Sequence, residues 1–202
     1  MGVCYIVGAG AFYGDIIPEK GDLVIAADGG YATLKSLEIR TDLLIGDMDS
    51  IASVPSDVET ARYKVEKDET DMHLAYLEGV RRGYSEFRIY GGVGGRADHT
   101  FANYCLLASI ASDGNRAILY DRECIVYAIK NSSTRVAAKP KKSISVFAFG
   151  GEARGVDIEG LYYKLKDGTL KPEFPLGVSN HTTENDATIS VRDGTLLIIE
   201  EI

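Results

Sequence analysis

Ile45-Gly46-Asp47-Met48-Asp49-Ser50 is an apolar strand end running into a glycine and two carboxylates. Carboxylates at i and i+2 on extended backbone share one face, so Asp47 and Asp49 repel each other until something positive relieves them. A divalent cation is the simplest such group. A second acidic stretch, Lys67-Asp68-Glu69-Thr70-Asp71, opens the next helix. A third, Gly91-Gly92-Val93-Gly94-Gly95-Arg96-Ala97-Asp98-His99, follows the next strand and opens another helix. Carboxylate-bearing turns at one end of successive strands mark the ligand edge of an open α/β sheet.

Working outward, Val3–Val7 and Asp22–Ala27 are short, continuous apolar runs bounded by glycine and charge, the signature of buried parallel strands. Tyr31–Leu37 is expected as a short helix, Asp42–Ile45 as a strand, and Asp71–Arg82 as a helix with Leu74, Ala75, Leu77 and Val80 on its apolar stripe. Phe87–Tyr90 follows as a strand, Ala97–Ala111 as a helix and Arg116–Tyr120 as a strand. This alternation predicts an α/β domain with a mainly parallel sheet covered on both faces.

From about Glu123 the helical spacing stops, and short alternating segments take over at Cys124–Ile129, Thr134–Ala138, Ser143–Phe149 and Gly160–Leu165. The second half is therefore expected to be an all-β, sandwich-like domain. Ala187–Val191 and Thr195–Glu200 flank Arg192-Asp193-Gly194, and Asp-Gly suits a tight hairpin turn. The expected boundary divides residues 1–122, the α/β domain, from 123–202. No flexible linker separates them, so close packing is expected.

The 202 residues are 45% hydrophobic, enough to bury a core, and the formal net charge of −8 argues against general affinity for nucleic acid or anionic membrane. Cys4, Cys105 and Cys124 are odd in number and each lies in an apolar run, which predicts reduced core thiols in a cytoplasmic protein. The first residues read as a strand and not as an export signal or membrane span.

Gly8 and Gly10, with Asp28 at the end of the second strand, imitate a dinucleotide fingerprint. Against it, the third glycine is displaced to Gly14, and Ile16-Ile17-Pro18 interrupts the helix that should carry a pyrophosphate. Gly91–Gly95 lets backbone amides approach an anion, and Arg96 adds a planar fork suited to phosphate oxygens. His99 and Asn103, one turn apart on the helix that follows, are expected in surface or supporting roles. Clustered carboxylates beside glycines suit Mg²⁺, which takes one or two carboxylates plus phosphate oxygens.

Ala27-Asp28-Gly29-Gly30, Gly46-Asp47-Met48-Asp49-Ser50, Lys67-Asp68-Glu69-Thr70-Asp71, Gly91 to His99 and Ser179-Asn180, taken in this order, resemble the thiamine pyrophosphokinases of the bacterial type over nearly the full length. The resemblance implies pyrophosphoryl transfer from ATP to the hydroxyethyl oxygen of thiamine, giving thiamine diphosphate and AMP with Mg²⁺. It also implies an N-terminal ATP domain, a C-terminal thiamine-binding β domain, and a homodimer with shared active sites. By position, Asp47, Asp49 and Asp71 correspond to the metal carboxylates, with Asp49 or Asp71 as a candidate proton acceptor. Gly92, Gly94, Gly95, Arg96 and Asp98 correspond to the triphosphate region. Asp28, Gly29, Lys67, Asp68 and Thr70 correspond to further ATP-side binding positions, and Ser179 and Asn180 to the thiamine segment. The chain departs from some members in lacking Trp, so Tyr162, Tyr163 or Phe174 is left to stand beside thiamine. Lys67 also stands where some members carry an uncharged amide. Two other readings stay open: an NAD(P)-dependent oxidoreductase using Gly8, Gly10 and Asp28, and a non-catalytic nucleotide- or metal-binding regulatory module.

Overall fold

The computed structural model describes residues 2–46, 56, 58–62 and 68–202. The chain forms two compact units, Met1–Leu106 with Ala117–Arg122, and Leu107–Arg116 with Glu123–Ile202. Asp47, Asp49 and Lys67, named above as site residues, lie outside the described residues.

In chain order the elements around the first unit are β1 (Cys4–Val7), β2 (Leu23–Ala27), α1 (Gly30–Ser36), β3 (Leu43–Gly46), β4 (Glu59–Arg62), α2 (Asp71–Arg81), β5 (Glu86–Tyr90), α3 (Ala97–Ser112) and β6 (Arg116–Tyr120). Every residue of β1, β2 and β3 is buried, as expected of parallel strands covered on both faces. The strands lie in the order β4-β3-β2-β1-β5-β6, and β1 runs parallel to both neighbours, with Cys4 opposite Leu23 and Phe87. Pairing of β2 with β3 and of β3 with β4 is also parallel. The chain thus builds outward from β1 to β4 and then restarts on the other side of β1. Such a reversal, at the carboxyl ends of the strands, is where an open α/β sheet forms its ligand crevice.

Alternate side chains of one strand point to opposite faces. Tyr5, Val7, Val24, Ala26 and Leu44 pack with Leu34 of α1, whereas Cys4 and Phe87 meet α2. A Cβ on Gly79 would lie 2.6 Å from the Phe87 ring and 3.0 Å from Cys4 Sγ, so glycine lets α2 approach this closely. The buried stripe is consequently Met72, Leu74, Ala75, Tyr76 and Gly79, and Leu77 and Val80 are exposed, contrary to the spacing argument. Thr70 caps α2 by accepting from His73 N–H at 3.2 Å. No residue between β1 and β2 is helical, so the helix that a dinucleotide fingerprint requires is missing there.

The second unit holds β7 (Cys124–Lys130), β8 (Ser133–Val136), β9 (Ser143–Ala148), β10 (Ala153–Glu159), β11 (Leu165–Leu170), β12 (Gly177–His181), β13 (Ala187–Asp193) and β14 (Thr195–Glu201). They form one set ordered β12-β9-β14-β7 and another ordered β11-β10-β13-β8, with antiparallel pairing inside each. One buried cluster draws Ile144, Val146, Leu196 and Ile198 from the first set and Val156, Ile158, Ile189 and Val191 from the second. Alternating burial along β9 and β13 supplies those inward residues.

Several expectations are corrected here. Arg192-Asp193-Gly194 is a corner and not a hairpin, because β13 and β14 belong to different sheets. Gly194 at φ +116 allows the turn, and its N–H donates at 2.8 Å to Oδ1 of Asn131, itself at φ +46 where β7 crosses to β8. Gly160–Leu165 is not a strand: Leu161 makes a single bridge to Thr182, and β11 begins at Leu165. Gly177–His181, which carries the Ser179-Asn180 segment, is edge strand β12 with irregular register between Gly177 and Asn180. Of the thiols only Cys4 is buried; Cys124 is half-buried and Cys105 exposed. The apolar sequence of α3 did not reveal that Cys105 shares an exposed face with Phe101, one turn earlier. Among the described residues no helix is long and apolar enough to cross a membrane.

Candidate active site

A cleft of about 450 Å³ lies at the carboxyl ends of β1, β2 and β5, walled by the starts of α2 and α3. Its glycine loops are laced together through backbone. Gly8 N–H donates to the Tyr90 carbonyl (2.8 Å), Gly10 N–H to that of Gly91 (2.8 Å), and Ala11 N–H to that of Val93 (2.7 Å). The Gly92 carbonyl is taken by Nδ2 of Asn103 at 2.7 Å. Four successive carbonyls are thus turned to protein donors, and in each peptide the N–H points opposite to the C=O. Gly91 and Gly94 adopt φ +62 and +76, the alternation that builds anion-binding concavities. The contact leaves no room for side chains: a Cβ on Gly10 would lie 2.4 Å from the Val93 carbonyl oxygen. Gly8 and Gly10 therefore serve loop packing, which accounts for them without a dinucleotide.

Of the positions named from sequence, Asp28, Thr70, Asp71, Gly92, Gly95 and Arg96 line this cleft. Asp28 sits at φ +48, held by its N–H to the Ile45 carbonyl (2.7 Å) and by its own carbonyl to Tyr31 N–H (3.2 Å). Such backbone costs about 1–2 kcal/mol for a residue with a Cβ, and it keeps the β2–α1 turn tight. Gly46 at the end of β3 lies against the same turn, where a Cβ would be 3.3 Å from Asp28 Cα. Asp71 opens α2 at the cleft wall, where a helix N-terminus favours a carboxylate. Asp68 is exposed, Gly29 precedes α1, and Gly94 packs against Ala11; these three fall outside the cleft lining.

Arg96 grips Asp98 through Nε–Oδ1 (3.1 Å) and Nη2–Oδ2 (2.6 Å) in a solvent-exposed pair. The guanidinium holds the Asp98 carboxyl below the usual carboxylate range. The same two-pronged fork suits phosphate oxygens. Sequence reasoning gave too little to Glu69, Thr100 and Asn103, which also line the cleft. His99, Thr100 and Asn103 recur at helical spacing just after the glycine run, which was the available signal. Among the described residues no three His, Cys, Asp or Glu side chains cluster as a metal centre. The carboxylates of Asp28, Glu69 and Asp71 nonetheless give the cleft oxygen donors of the kind Mg²⁺ takes alongside phosphate.

In the second unit Asn180 is buried, 5% exposed, and its amide makes three hydrogen bonds. Oδ1 accepts from Tyr163 N–H (3.0 Å) and His181 N–H (2.9 Å), and Nδ2 donates to the Tyr163 carbonyl (2.7 Å). This clamp presents Tyr162 and Tyr163, which are 61% and 62% exposed. The Tyr162 ring stacks on His181 at 4.4 Å and meets Tyr163 edge-on at 4.9 Å. Ser179 is exposed at φ +57, its N–H donating to Ser145 Oγ at 3.1 Å. Phe174 is exposed too, in the segment before β12.

Residues 16–119 match the family described as "Thiamin pyrophosphokinase, catalytic domain", and residues 130–196 match "Thiamin pyrophosphokinase, vitamin B1 binding domain". A thiamine pyrophosphokinase of Bacillus subtilis (strain 168) is 27% identical over 188 residues, covering 90% of this chain and 88% of its own. A crystal structure of thiamine pyrophosphokinase from Bacillus subtilis is similar with a TM-score of 0.90 at 24% identity, covering 98% of both chains. A thiamin pyrophosphokinase family protein from Enterococcus faecalis gives 0.86 at 24% identity, over 100% of this chain and 99% of the other. Thiamin pyrophosphokinase from Candida albicans gives 0.74 at 14% identity, over 99% and 90%. At these identities the solved structures speak for a shared fold.

Proposed function

The chain belongs to the thiamin pyrophosphokinase family, which makes thiamine diphosphate, and on that premise we propose how its parts divide the reaction. ATP binds in the cleft of the α/β domain, residues 1–122, and thiamine is read by the β-sandwich domain, residues 123–202. The observation that carries this is the glycine loop after β5, whose carbonyls from Tyr90 to Val93 all face protein donors beside Arg96. That arrangement favours a polyphosphate over a neutral ligand.

Mg²⁺ fits the carboxylates present, with Asp71, Asp47 and Asp49 as the residues that would hold it. When bound it would neutralise charge on the phosphate oxygens. Arg96, Gly92 and Gly95 hold the triphosphate in line, with Asp28 and Thr70 beside it in the cleft, Gly94 shaping the loop, and Gly29, Lys67, Asp68 and Asp98 as supporting ATP-side positions. The thiamine hydroxyl oxygen bonds to the β-phosphorus as the bond to the α,β-bridging oxygen breaks, so AMP leaves and the hydroxyl proton is released. Asp49 or Asp71 accepts that proton. Positioning and charge neutralisation suffice for such transfer, and no covalent nucleophile is required.

Ser179 and Asn180 belong to the thiamine side, Asn180 by holding Tyr162 and Tyr163 in place. Thiamine carries a cationic thiazolium, and exposed tyrosine faces attract such a cation. The working form is a cytoplasmic homodimer with active sites shared between subunits.

The test is product analysis with purified protein, ATP and Mg²⁺, with and without thiamine. AMP and thiamine diphosphate appearing only with thiamine is the expected result. ADP as product means γ-phosphate transfer and refutes the assignment, and nucleotide bound without turnover would favour a regulatory module.

A further inference from the structure

We propose that Asn103 is a positioning residue for the nucleotide phosphates, holding the Gly92 carbonyl out of the cleft so that the Gly91–Gly95 loop remains an anion site. This rests on the assignment of ATP to that cleft. Of the four tethered carbonyls, those of Tyr90, Gly91 and Val93 are held by backbone N–H groups of Gly8, Gly10 and Ala11. Backbone donors persist through any substitution except proline. Among the described residues the Gly92 carbonyl is held by a side chain, Nδ2 of Asn103 at 2.7 Å.

Asn103 is well placed for this. It is 5% exposed, it projects from α3 into the cleft wall, and the Gly92 α-carbon is wedged beside it. A Cβ on Gly92 would lie 2.7 Å from Leu119 Cδ1 and 3.2 Å from Asn103 Nδ2. Glycine backbone is less restricted than that of other residues, so the absence of a side chain that permits the close fit also leaves ψ of Gly92 free to change once the tether is gone. The Gly92 carbonyl and the Val93 N–H share one rigid plane and point in opposite directions. Val93 is bridged to Ala11, so what Asn103 controls is the Gly92 carbonyl oxygen, which on release is free to tilt toward the cleft. An unpaired acceptor is then presented where phosphate oxygens sit, which repels the anion. A purely structural Asn103 would satisfy a buried carbonyl and have no bearing on ATP.

Asn103→Leu removes the amide at similar volume, and Asn103→Asp keeps the shape and, assayed at a pH alkaline enough to ionise it, puts an acceptor in place of the donor. ATP dissociation constants are measured by calorimetry on the full chain with Mg²⁺ and without thiamine. Both Michaelis constants, kcat and the melting temperature are measured alongside, at a temperature where each protein is fully folded. We expect ATP binding to weaken about tenfold or more in both variants, the loss of one buried hydrogen bond compounded by repulsion from the released carbonyl, with the thiamine constant within about twofold of wild type. If Asn103→Leu does not fold, the isosteric Asn103→Asp carries the test. Unchanged ATP affinity with a lowered melting temperature overturns the inference, as does an equal rise in both Michaelis constants. Wild-type protein that fails to bind ATP overturns the cleft assignment and the inference together, whereas normal wild-type binding with unaffected variants overturns the inference alone.

Discussion

Asn180→Ala tests how the second unit serves thiamine. The substitution deletes two acceptor contacts at 3.0 and 2.9 Å and one donor contact at 2.7 Å, all to backbone of Tyr163 and His181. A net hydrogen bond contributes about 1 kcal/mol, so complete loss sums to about 3 kcal/mol. Tyr163 is largely exposed and His181 half-buried, so water re-satisfies part of what is abandoned and the expected loss is about 2 kcal/mol. The freed loop no longer holds Tyr162 stacked on His181, and the KM for thiamine should rise about tenfold while that for ATP hardly moves. Ser179→Ala is the control, since its exposed side chain should leave stability within about 0.5 kcal/mol of wild type. Urea denaturation followed by tyrosine fluorescence gives the stability change, and initial rates with each substrate varied give the constants. Unchanged stability in Asn180→Ala would refute the clamp. A raised ATP constant with thiamine unaffected would refute the division of labour between the units.

Asp47→Asn, Asp49→Asn and Asp71→Asn should each lower kcat at least ~100-fold with the fold intact, read by AMP release and circular dichroism; full activity in all three would leave these carboxylates as ordinary turn and capping residues. Arg96→Ala should raise the KM for ATP about tenfold, and Arg96→Lys should recover only part of it, because lysine restores the charge and not the two-pronged fork. Glu78 is held at a pKa of about 2, below its ordinary 4.5, chiefly by its hydrogen bond to Arg81, with Arg82 adding a second. A depressed folded-state pKa stabilises above the unfolded value, so this contribution is complete above about pH 4.5 and is lost as the pH falls toward 2. Glu78→Gln should therefore flatten acid denaturation in that window, and an unaltered acid profile would contradict it. Sedimentation should give a two-fold dimer at assay concentration, and a fully active monomer would exclude shared sites.

Much of the first unit was legible in the residues. Continuous apolar runs marked β1, β2 and β3, the Thr70-Asp71 pair marked the start of α2, and the glycine run marked the loop between β5 and α3, because each signal is contained within a few neighbouring residues. Edges and faces were less legible. Strand β4, Glu59-Thr60-Ala61-Arg62, exposed at both ends and half-buried between, lacks the apolar run by which a strand is recognised. On α2 the pattern placed Leu77 and Val80 inside, and only the close approach of Gly79 to Phe87 rotated that face outward.

By itself the sequence determined that the chain alternates strands with helices and then turns to β structure, and which stretches carry carboxylates, glycines and Arg96. Local periodicity and turn chemistry are sufficient for that. The tertiary structure alone decided that β13 and β14 part at Gly194 instead of pairing, because the partner that completes this corner, Asn131, is 63 residues away. It alone decided that the cleft lies at the carboxyl ends of β1, β2 and β5, since the reversal of strand order exists only once the sheet is assembled. The roles of Asn103 and Asn180 were hidden for the same reason. A buried amide acts through the backbone groups it reaches, and those lie 11 and 17 residues away, at distances that no local pattern encodes.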